Sequence, residues 1–294
     1  MCTTGSPETI RDRFWLWGHE AGSYNTEWNL PRPSRITPVE AACYLGIPNL
    51  LMIRYNGKPE MPYDQLAVPM RTLIQVGWGI TGARGETSLD EREHVLNLAL
   101  RTPNITGLVM DDFINWDTGQ PELSLDDLNE LDERRHLTDR TLNLMTILYT
   151  HQLDIDITQY LPHCDQISLW TWHSSNLDEL DNNLTRLEAL APDHELFLGC
   201  YLWDLGPRAP MPLDRLQRQC EQGLGWLRSD RIAGMIFLAS CYCDLELDTV
   251  EWLRGWIAEV GDEAFEGQLD ERITKTSAVR LPVAPPRVVI EAAT

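Results

Sequence analysis

The sequence predicts a single-domain (β/α)8 barrel, because short apolar segments alternate with amphipathic helical segments eight times along the chain. The apolar segments are short, and several are rich in β-branched or aromatic residues, which is typical of parallel strands buried on both faces. Eight strand–helix units in about 250 residues suit this barrel. The predicted strands span residues 13–18, 49–55, 73–81, 105–111, 143–151, 166–173, 195–203 and 232–242.

Start signals in the sequence place the helices between these strands. Thr37 precedes Pro38 and Glu40, and the same capping spacing begins at Ser88, Asp248 and, approximately, Ser124. Between the fifth and sixth strands, residues 157–162 allow little more than one turn. An open doubly wound sheet is the alternative, but residues 18–22 lack its GxGxxG phosphate loop.

We divide the chain into an N-terminal segment (residues 1–11), a catalytic barrel domain (12–260) and a C-terminal tail (261–294). Residues 281–286 contain three prolines and cannot form a helix. Residues 287–290 suit an edge strand or an interface arm. The tail is therefore expected either to cover the barrel or to mediate a homodimer.

Charge and composition exclude several classes of partner. The chain of 294 residues carries 45 acidic and 24 basic side chains, for a net charge of −21. This acidic protein should repel nucleic acid and anionic membranes. No apolar run approaches the roughly 18 residues of a membrane helix. The first residues have no basic n-region or apolar h-region, so we expect no secretory signal. With seven scattered cysteines, these features predict a cytoplasmic protein with free thiols.

Aromatic residues gather where the predicted strands end, which is where a barrel builds its site. Of the eleven tryptophans, eight lie on strand ends or in the following loops: Trp15, Trp17, Trp28, Trp78, Trp116, Trp170, Trp172 and Trp203. Indoles stack on the apolar faces of sugars and donate N–H to hydroxyls. The segments after the seventh and eighth strands are acidic, unlike a phosphate site. We therefore expect a small neutral carbohydrate as the substrate.

Thirteen side chains are the candidates for holding this sugar, although each tryptophan or histidine alone also fits core packing. The candidates are Trp17, His19, Arg54, Tyr55, Trp78, Trp116, His151, Trp170, Trp172, His173, Tyr201, Trp203 and Tyr242.

An adjacent acid pair, Asp111 and Asp112, ends the apolar fourth strand. Two carboxylates there are costly unless they are paired, hydrogen-bonded or open to a cleft. Like charges at short range raise one pKa, so that one carboxyl is an acid while the other stays ionised. Strand alternation places Asp111 inward and Asp112 over the rim. In the alternative interpretation Asp112 caps a loop and Asp111 pairs with Arg54.

The segment Gly107-Leu108-Val109-Met110-Asp111-Asp112-Phe113 resembles the consecutive acid pair of O-GlcNAcase-type hexosaminidases, which are barrel glycoside hydrolases. The resemblance covers this strand and the barrel plan. It implies that Asp111 orients the 2-acetamido group of the substrate as an internal nucleophile, and that Asp112 is the proton donor. Tyr149 and Tyr201 are candidates for the tyrosine partner of such families.

Other carboxylates keep a second mechanism open. Asp204, at the end of the seventh strand, could act as nucleophile or base opposite Asp112, although it also suits a turn before Gly206. Glu20 is a third candidate, as a base or a hydroxyl ligand beside His19.

Two further functions are alternatives to a glycosidase. One is a metal-dependent sugar isomerase or hydrolase, in which a cation is held by His19, Glu20, Asp112, His151, His173 and Asp204. The sequence has no HExxH motif and no HxH motif at the first strand, so we expect no metal and no cofactor. The other is a non-catalytic sugar-binding barrel, which needs no acid with a raised pKa.

Overall fold

Eight parallel strands close into a barrel in the computed structural model, which describes residues 8–116, 118–137 and 140–265. The predicted fold is confirmed. Neighbouring strands follow chain order around the barrel, and the last pairs with the first. The barrel strands are β1 (Phe14–Gly18), β2 (Asn49–Arg54), β3 (Gln75–Gly82), β4 (Ile105–Met110), β5 (Asn143–Tyr149), β6 (Gln166–Trp170), β7 (Glu195–Tyr201) and β10 (Gly234–Leu238). A small antiparallel hairpin, β8 (Trp203–Asp204) and β9 (Ala209–Pro210), follows β7.

Helices cover the outside of the barrel. They are α1 (Pro38–Leu45), α2 (Asp64–Met70), α3 (Leu89–Arg101), α4 (Leu125–Arg135), α5 (Leu180–Leu190), α6 (Leu213–Arg228) and α7 (Asp248–Val260). The connection from β5 to β6 contains two short 3-10 helices, Thr150–Gln152 and Leu161–His163. The sequence predicted little more than one turn at residues 157–162, because the segment is too short for a longer helix.

Most of the predicted helix starts are confirmed. Thr37 and Ser124 form capping boxes, and Ser88 accepts a hydrogen bond from a main-chain N–H of the first turn of α3. The predicted cap at Asp248 is wrong. The helix already includes Asp248, and Leu247 precedes it without a side-chain cap.

A glycine in β7 makes room for an indole inside the barrel. A Cβ on Gly199 would lie 2.1 Å from Cδ2 of Trp170. The Trp170 indole therefore folds across β7, where it donates to Ser168 Oγ at 2.8 Å and packs against Trp17 with ring centroids 5.3 Å apart. This packing closes the barrel interior beneath its carboxyl-terminal mouth.

The segments that precede β1 and follow α7 in sequence meet at the end of the barrel opposite its carboxyl-terminal mouth. Thr9 forms an isolated antiparallel bridge with Ala264, and the guanidinium of Arg13 lies 4.4 Å from the ring centre of Phe265. The Pro-rich part of the tail, with its predicted homodimer arm, lies outside the described residues. Within them, six cysteines are free and no helix is long and apolar enough to span a membrane.

Replacing Gly199 by alanine is expected to destabilise the fold by about 1–3 kcal/mol, because the added methyl overlaps the Trp170 ring and forces repacking. Urea denaturation followed by tryptophan fluorescence measures the loss. Gly225→Ala is the matched control, since nothing lies within 4 Å of its added Cβ in helix α6. This control should be neutral or gain up to about 1 kcal/mol. Equal stability of the two variants would contradict the packing account.

Candidate active site

A cleft opens at the carboxyl ends of the barrel strands. It encloses about 720 Å³ of space, part of it open to solvent, which is within the range of small-molecule sites. Ten of the predicted site residues line it: Trp17, His19, Tyr55, Asp111, Asp112, Trp116, Tyr149, Trp170, Trp172 and Tyr201. The structure therefore brings the acid pair and most of the predicted aromatic residues together.

Aromatic rings form the floor and one wall of the cleft. On the floor, the ring of Trp170 lies 5.3 Å from Trp17 and 5.0 Å from Tyr201, measured between centroids. On the wall, Trp172 contacts Trp116 edge to face at 5.0 Å. Trp116 is 43% exposed, in contrast to the nearly buried floor. These rings offer flat apolar surfaces beside polar groups.

Asp111 is a buried carboxylic acid at the bottom of the cleft. Its residue is 5% exposed. Burial, followed by the charge of neighbouring Asp112, raises the pKa of Asp111 well above its usual value. Arg54, which was the alternative partner expected from the sequence, forms its ion pair with Glu91 instead. The environment of Asp111 therefore favours its protonated form.

Asp112 has the opposite environment, because three donors converge on its carboxylate. Oδ1 accepts hydrogen bonds from the Tyr149 hydroxyl at 2.8 Å and the Trp116 indole at 3.1 Å. Oδ2 accepts from the main-chain N–H of Arg84 at 2.9 Å. An ionised carboxylate accepts from all three without needing a proton of its own. The backbone of Asp112 is left-handed, with φ of 45°, a conformation that aspartate adopts more readily than most residues.

Two tyrosines beside the pair remain phenols. Burial raises the pKa of Tyr149, and the charge of Asp112 raises it further. Burial and Asp112 raise the pKa of Tyr201 in the same order. Both hydroxyls therefore stay available as neutral donors within the cleft.

His19 is held as a neutral imidazole. Its Nδ1 lies 3.0 Å from the carbonyl oxygen of Ile53, and its Nε2 lies 3.0 Å from the Trp17 indole nitrogen and 2.8 Å from the Tyr24 hydroxyl. Since an indole N–H only donates and a carbonyl only accepts, the proton lies on Nδ1. Burial lowers the pKa of His19 to about 4. His19 therefore holds Trp17 and Tyr24 in place.

Arg54 and Trp78, both predicted to bind substrate, lie outside the cleft. Arg54 donates to Glu91 at 2.7 Å and to the main-chain oxygen of Glu86 at 2.7 Å. Trp78 is buried, with its ring centre 5.5 Å from that of Tyr63. The alternation of strand side chains explains both errors, because these positions face the helix layer while their neighbours in β2 and β3 face inward.

Asp204 also lies outside the cleft. It is 4% exposed, and its Oδ1 accepts a hydrogen bond from the main-chain N–H of Ser174 at 3.3 Å. The expected nucleophile or base on β8 is therefore a structural residue, since its carboxylate holds the loop after β6. Asp204 is therefore not placed to act as the second carboxylate, opposite Asp112, in a mechanism across the barrel.

Three aromatic candidates support the cleft from behind. The Trp203 indole donates to the main-chain oxygen of Trp28 at 2.9 Å. The His173 ring packs against Gly206, where a Cβ would lie 2.1 Å from Nδ1. Tyr242 is fully buried, with its ring 5.6 Å from Tyr24. None of the three lines the cleft.

The remaining polar candidates lie at its edge. Glu20 is half-buried and does not line the cleft, and its main-chain oxygen accepts from Ser23. The His151 ring stacks on Tyr149 at 5.6 Å and lies 4.6 Å from Trp116. Among residues 8–116, 118–137 and 140–265, no three His, Cys, Asp or Glu side chains form a group that could hold a metal. The structure therefore does not gather the six side chains of the metal-site alternative into one group within these residues.

Three polar or aromatic residues that line the cleft, Tyr24, Asn56 and Arg84, were not predicted from the sequence. A fourth, Trp28, was predicted to lie in a loop after a strand end but was not among the candidates for holding the sugar. Tyr24 and Trp28 come from the segment between Gly18 and Pro38, and Trp28 donates through its indole to the Tyr55 hydroxyl at 3.1 Å. The length of that connection was the available signal, since long loops in compact domains are usually functional.

No protein-family model and no curated protein matches this sequence. Solved structures do resemble it. The GH113 β-mannanase AaManA of Alicyclobacillus acidocaldarius, in complex with ManMIm, is 14% identical, with 86% of this chain and 98% of that chain covered and a TM-score of 0.53. The xylanase-α-amylase inhibitor protein XAIP-I, in complex with trehalose, is 16% identical, with 87% and 100% covered and a TM-score of 0.53.

A thermostable chitinase domain of Pyrococcus furiosus, complexed with chito-oligosaccharides, is 14% identical, with 80% of this chain and 86% of that chain covered and a TM-score of 0.50. Similarity at this level of identity shows a shared fold, while function depends on the residues of the site. The chain is therefore a TIM barrel similar in fold to these carbohydrate-related proteins.

Proposed function

We propose that the protein is a glycoside hydrolase in which the substrate supplies the nucleophile and Asp111 supplies the proton. The observation that carries this proposal is the division of roles within the acid pair. Asp111 is buried without a charged partner, whereas Asp112 accepts three hydrogen bonds. An acid and an adjacent base of this kind suit cleavage of a glycosidic bond.

The shape and chemistry of the cleft support a sugar as substrate. Its volume suits one or two sugar rings, and the indoles of Trp170 and Trp172 provide stacking surfaces. The solved structures similar in fold include a β-mannanase, a chitinase domain and an inhibitor protein in complex with trehalose. Both the cleft and these neighbours therefore support a carbohydrate ligand.

The nucleophile is assigned to the substrate because the lining residues that the structure describes include no carboxylate opposite the pair. Among the described lining residues, Asp111 and Asp112 are the two carboxylates, and they are consecutive in sequence. A double displacement needs a second carboxylate on the other side of the sugar. A 2-acetamido group on the substrate can attack the anomeric carbon instead, as the resemblance to hexosaminidases implied.

In the proposed reaction, Asp111 donates its proton to the glycosidic oxygen while the bond from that oxygen to the anomeric carbon breaks. The acetamido oxygen forms a bond to the anomeric carbon, and the Asp112 carboxylate accepts the amide N–H and stabilises the positive charge. The ionised Asp111 then removes a proton from the water that opens the cyclic intermediate. Tyr149 orients Asp112 through its 2.8 Å hydrogen bond.

These roles reverse the sequence-based assignment, in which Asp112 was the donor. Asp112 already accepts a main-chain N–H, a phenol and an indole, so both of its oxygens act as hydrogen-bond acceptors. Burial acts differently at Asp111, because desolvation penalises its charge. The proton is therefore placed on the first residue of the pair.

A non-catalytic sugar-binding role is the second candidate. It is favoured by the similarity in fold to an inhibitor protein whose structure is a complex with trehalose. Such a protein would use the aromatic cleft and would not need the protonated Asp111. Turnover of aryl glycosides separates the two functions.

Aryl N-acetylhexosaminides that differ in leaving group should distinguish the roles of the pair. Asp111→Asn is expected to lower kcat/KM about 10²–10⁴-fold for a poor leaving group, because the proton donor is lost. With dinitrophenolate, which needs no proton, the loss should be much smaller. Asp112→Asn should be slow with both, since it no longer stabilises the charged intermediate.

Steady-state kinetics with both substrates, in both anomers, make this measurement. Selective rescue of Asp112→Asn by the good leaving group would show that the sequence-based assignment was correct. Turnover by neither variant nor wild type, with sugar binding retained, would establish the non-catalytic role.

The same variants should change thermal stability in opposite directions. Asp111→Asn is expected to raise Tm by a few degrees at pH 7, because the wild-type carboxyl ionises more easily when unfolded than when buried. This gap should open as pH rises from the ordinary carboxyl pKa near 3.8 toward the raised folded value, and stay constant above it. Asp112→Asn should lower Tm, since its amide cannot accept from all three donors.

Calorimetric scans from pH 3 to pH 8 check this behaviour. If the stability of Asp111→Asn relative to wild type did not increase as pH rises, the Asp111 carboxyl would not have a raised pKa in the native protein, and the proton donor would have to be reassigned.

A further inference from the structure

We infer that the substrate is an acidic saccharide, carrying a carboxylate or sulfate group, and that the Arg84 guanidinium binds this group. The inference rests on the proposed function and specifies its substrate class. Arg84 lies in the loop that follows β3 and lines the cleft. An acidic saccharide replaces the neutral sugar that was expected from the sequence. That expectation came from the acidic segments after the seventh and eighth strands.

Arg84 is a cation without a direct ion pair at this position. Throughout the part of the chain that the structure describes, its guanidinium forms no direct ion pair or hydrogen bond, and its charge acts only at longer range on the Glu86 carboxylate and the Tyr55 hydroxyl. The nearby Glu86 forms its direct ion pair with Arg54, with 3.4 Å between the guanidinium nitrogen and Oε1. Arg208 stacks on Trp28 at 5.2 Å and does not line the cleft. Arg84 is thus the one Lys or Arg among the described lining residues.

The backbone of Arg84 is unusual for a long side chain. Its φ is 92°, and Gly85 follows with φ of 76°. A left-handed conformation is disfavoured for residues other than Gly, Asn and Asp, so a glycine would suit this turn better. The strain makes sense if the guanidinium has a function at this point in the cleft.

Main-chain hydrogen bonds fix the loop against the acid pair. Gly82 N–H donates to Glu86 O at 2.8 Å, and Ala83 N–H donates to Arg54 O at 3.0 Å. Arg84 N–H donates to Asp112 Oδ2 at 2.9 Å. The guanidinium is therefore tethered within one arginine side chain of Asp112, close enough to reach the sugar being cleaved or the ring next to it.

Charge balance provides a reason for such a cation. The protein carries a net charge of −21, and the cleft contains the Asp112 anion. An acidic sugar would be repelled unless a local cation offset this field. The planar fork of an arginine binds carboxylate and sulfate oxygens through two parallel hydrogen bonds. The other polar groups are occupied or neutral: Asn56 donates to Glu27, and His19 is uncharged.

The test compares 4-methylumbelliferyl N-acetylglucosaminide with its 6-sulfate, in both anomers, on wild type, Arg84→Gln and Arg71→Gln. Arg71 is the matched control, since the variant changes net charge equally and the residue does not line the cleft. We expect wild type to prefer the sulfated substrate by about 10–100-fold in kcat/KM, as for a charge-assisted hydrogen-bond pair. Arg84→Gln should lose at least about tenfold of this preference, and Arg71→Gln should retain it. High salt should reduce the wild-type preference.

A second experiment tests recognition of a carboxylate. Calorimetry compares the affinities of glucuronate and glucose for the same three proteins. Tighter binding of glucuronate that is lost in Arg84→Gln supports carboxylate recognition, while preference for the sulfate alone restricts the ligand to sulfated sugars. Equal behaviour of wild type and Arg84→Gln toward acidic and neutral sugars in both experiments overturns the inference.

Failure of this inference is distinguishable from failure of the proposed function. Efficient turnover of the neutral substrate without a preference leaves glycoside hydrolysis intact and removes the role of Arg84. If neither aryl glycoside is cleaved, binding of N-acetylglucosamine 6-sulfate against N-acetylglucosamine decides the matter. If wild type binds the 6-sulfate more tightly and Arg84→Gln does not, Arg84 recognises the acidic group in a non-catalytic protein. If wild type binds both sugars equally, the inference is overturned.

Discussion

Two carboxyl groups on consecutive residues share one cleft, and they cannot both carry a charge at low cost. The structure resolves this conflict by directing three donors to the Asp112 carboxylate, whereas the Asp111 carboxyl receives a hydrogen bond from the main-chain N–H of Asp112. Asp112 turns into a left-handed conformation and collects three hydrogen bonds, while Asp111 stays buried without a counter-charge. The resulting asymmetry gives two chemically identical side chains different environments, one desolvated and one rich in hydrogen-bond donors. The proposed chemistry follows from that asymmetry.

The aromatic residues around the pair depend on the same arrangement. Trp116 and Tyr149 donate to Asp112 and also pack against each other, with ring centroids 4.6 Å apart. The wall that would hold a sugar is therefore oriented by the carboxylate that would stabilise the reaction. Beneath it, Gly199 lets Trp170 lie across the barrel interior and close the floor. Binding surface and chemistry are coupled through shared hydrogen bonds in this cleft.

Sequence patterns predicted the barrel, most helix starts and the location of the acid pair, because each depends on local residue order. Periodicity identifies a buried parallel strand, and a strand end in this fold marks the site. The errors arose where a side chain's direction matters. Trp78 and Arg54 lie near strand ends, but the alternation of the strands turns them toward the helices. The direction of an irregular connection cannot be read from its sequence, so Tyr24 and Arg84 were missed.

The division of labour between the two aspartates was also beyond the sequence, because hydrogen bonds from Arg84, Trp116 and Tyr149 decide it from three different loops or strands. Infrared difference spectroscopy of the carboxyl C=O stretch at pH 7 measures it directly, comparing wild type with Asp111→Asn and Asp112→Asn. The account predicts a protonated-carboxyl band in wild type that disappears in Asp111→Asn. A band that persists in Asp111→Asn and disappears in Asp112→Asn would contradict it.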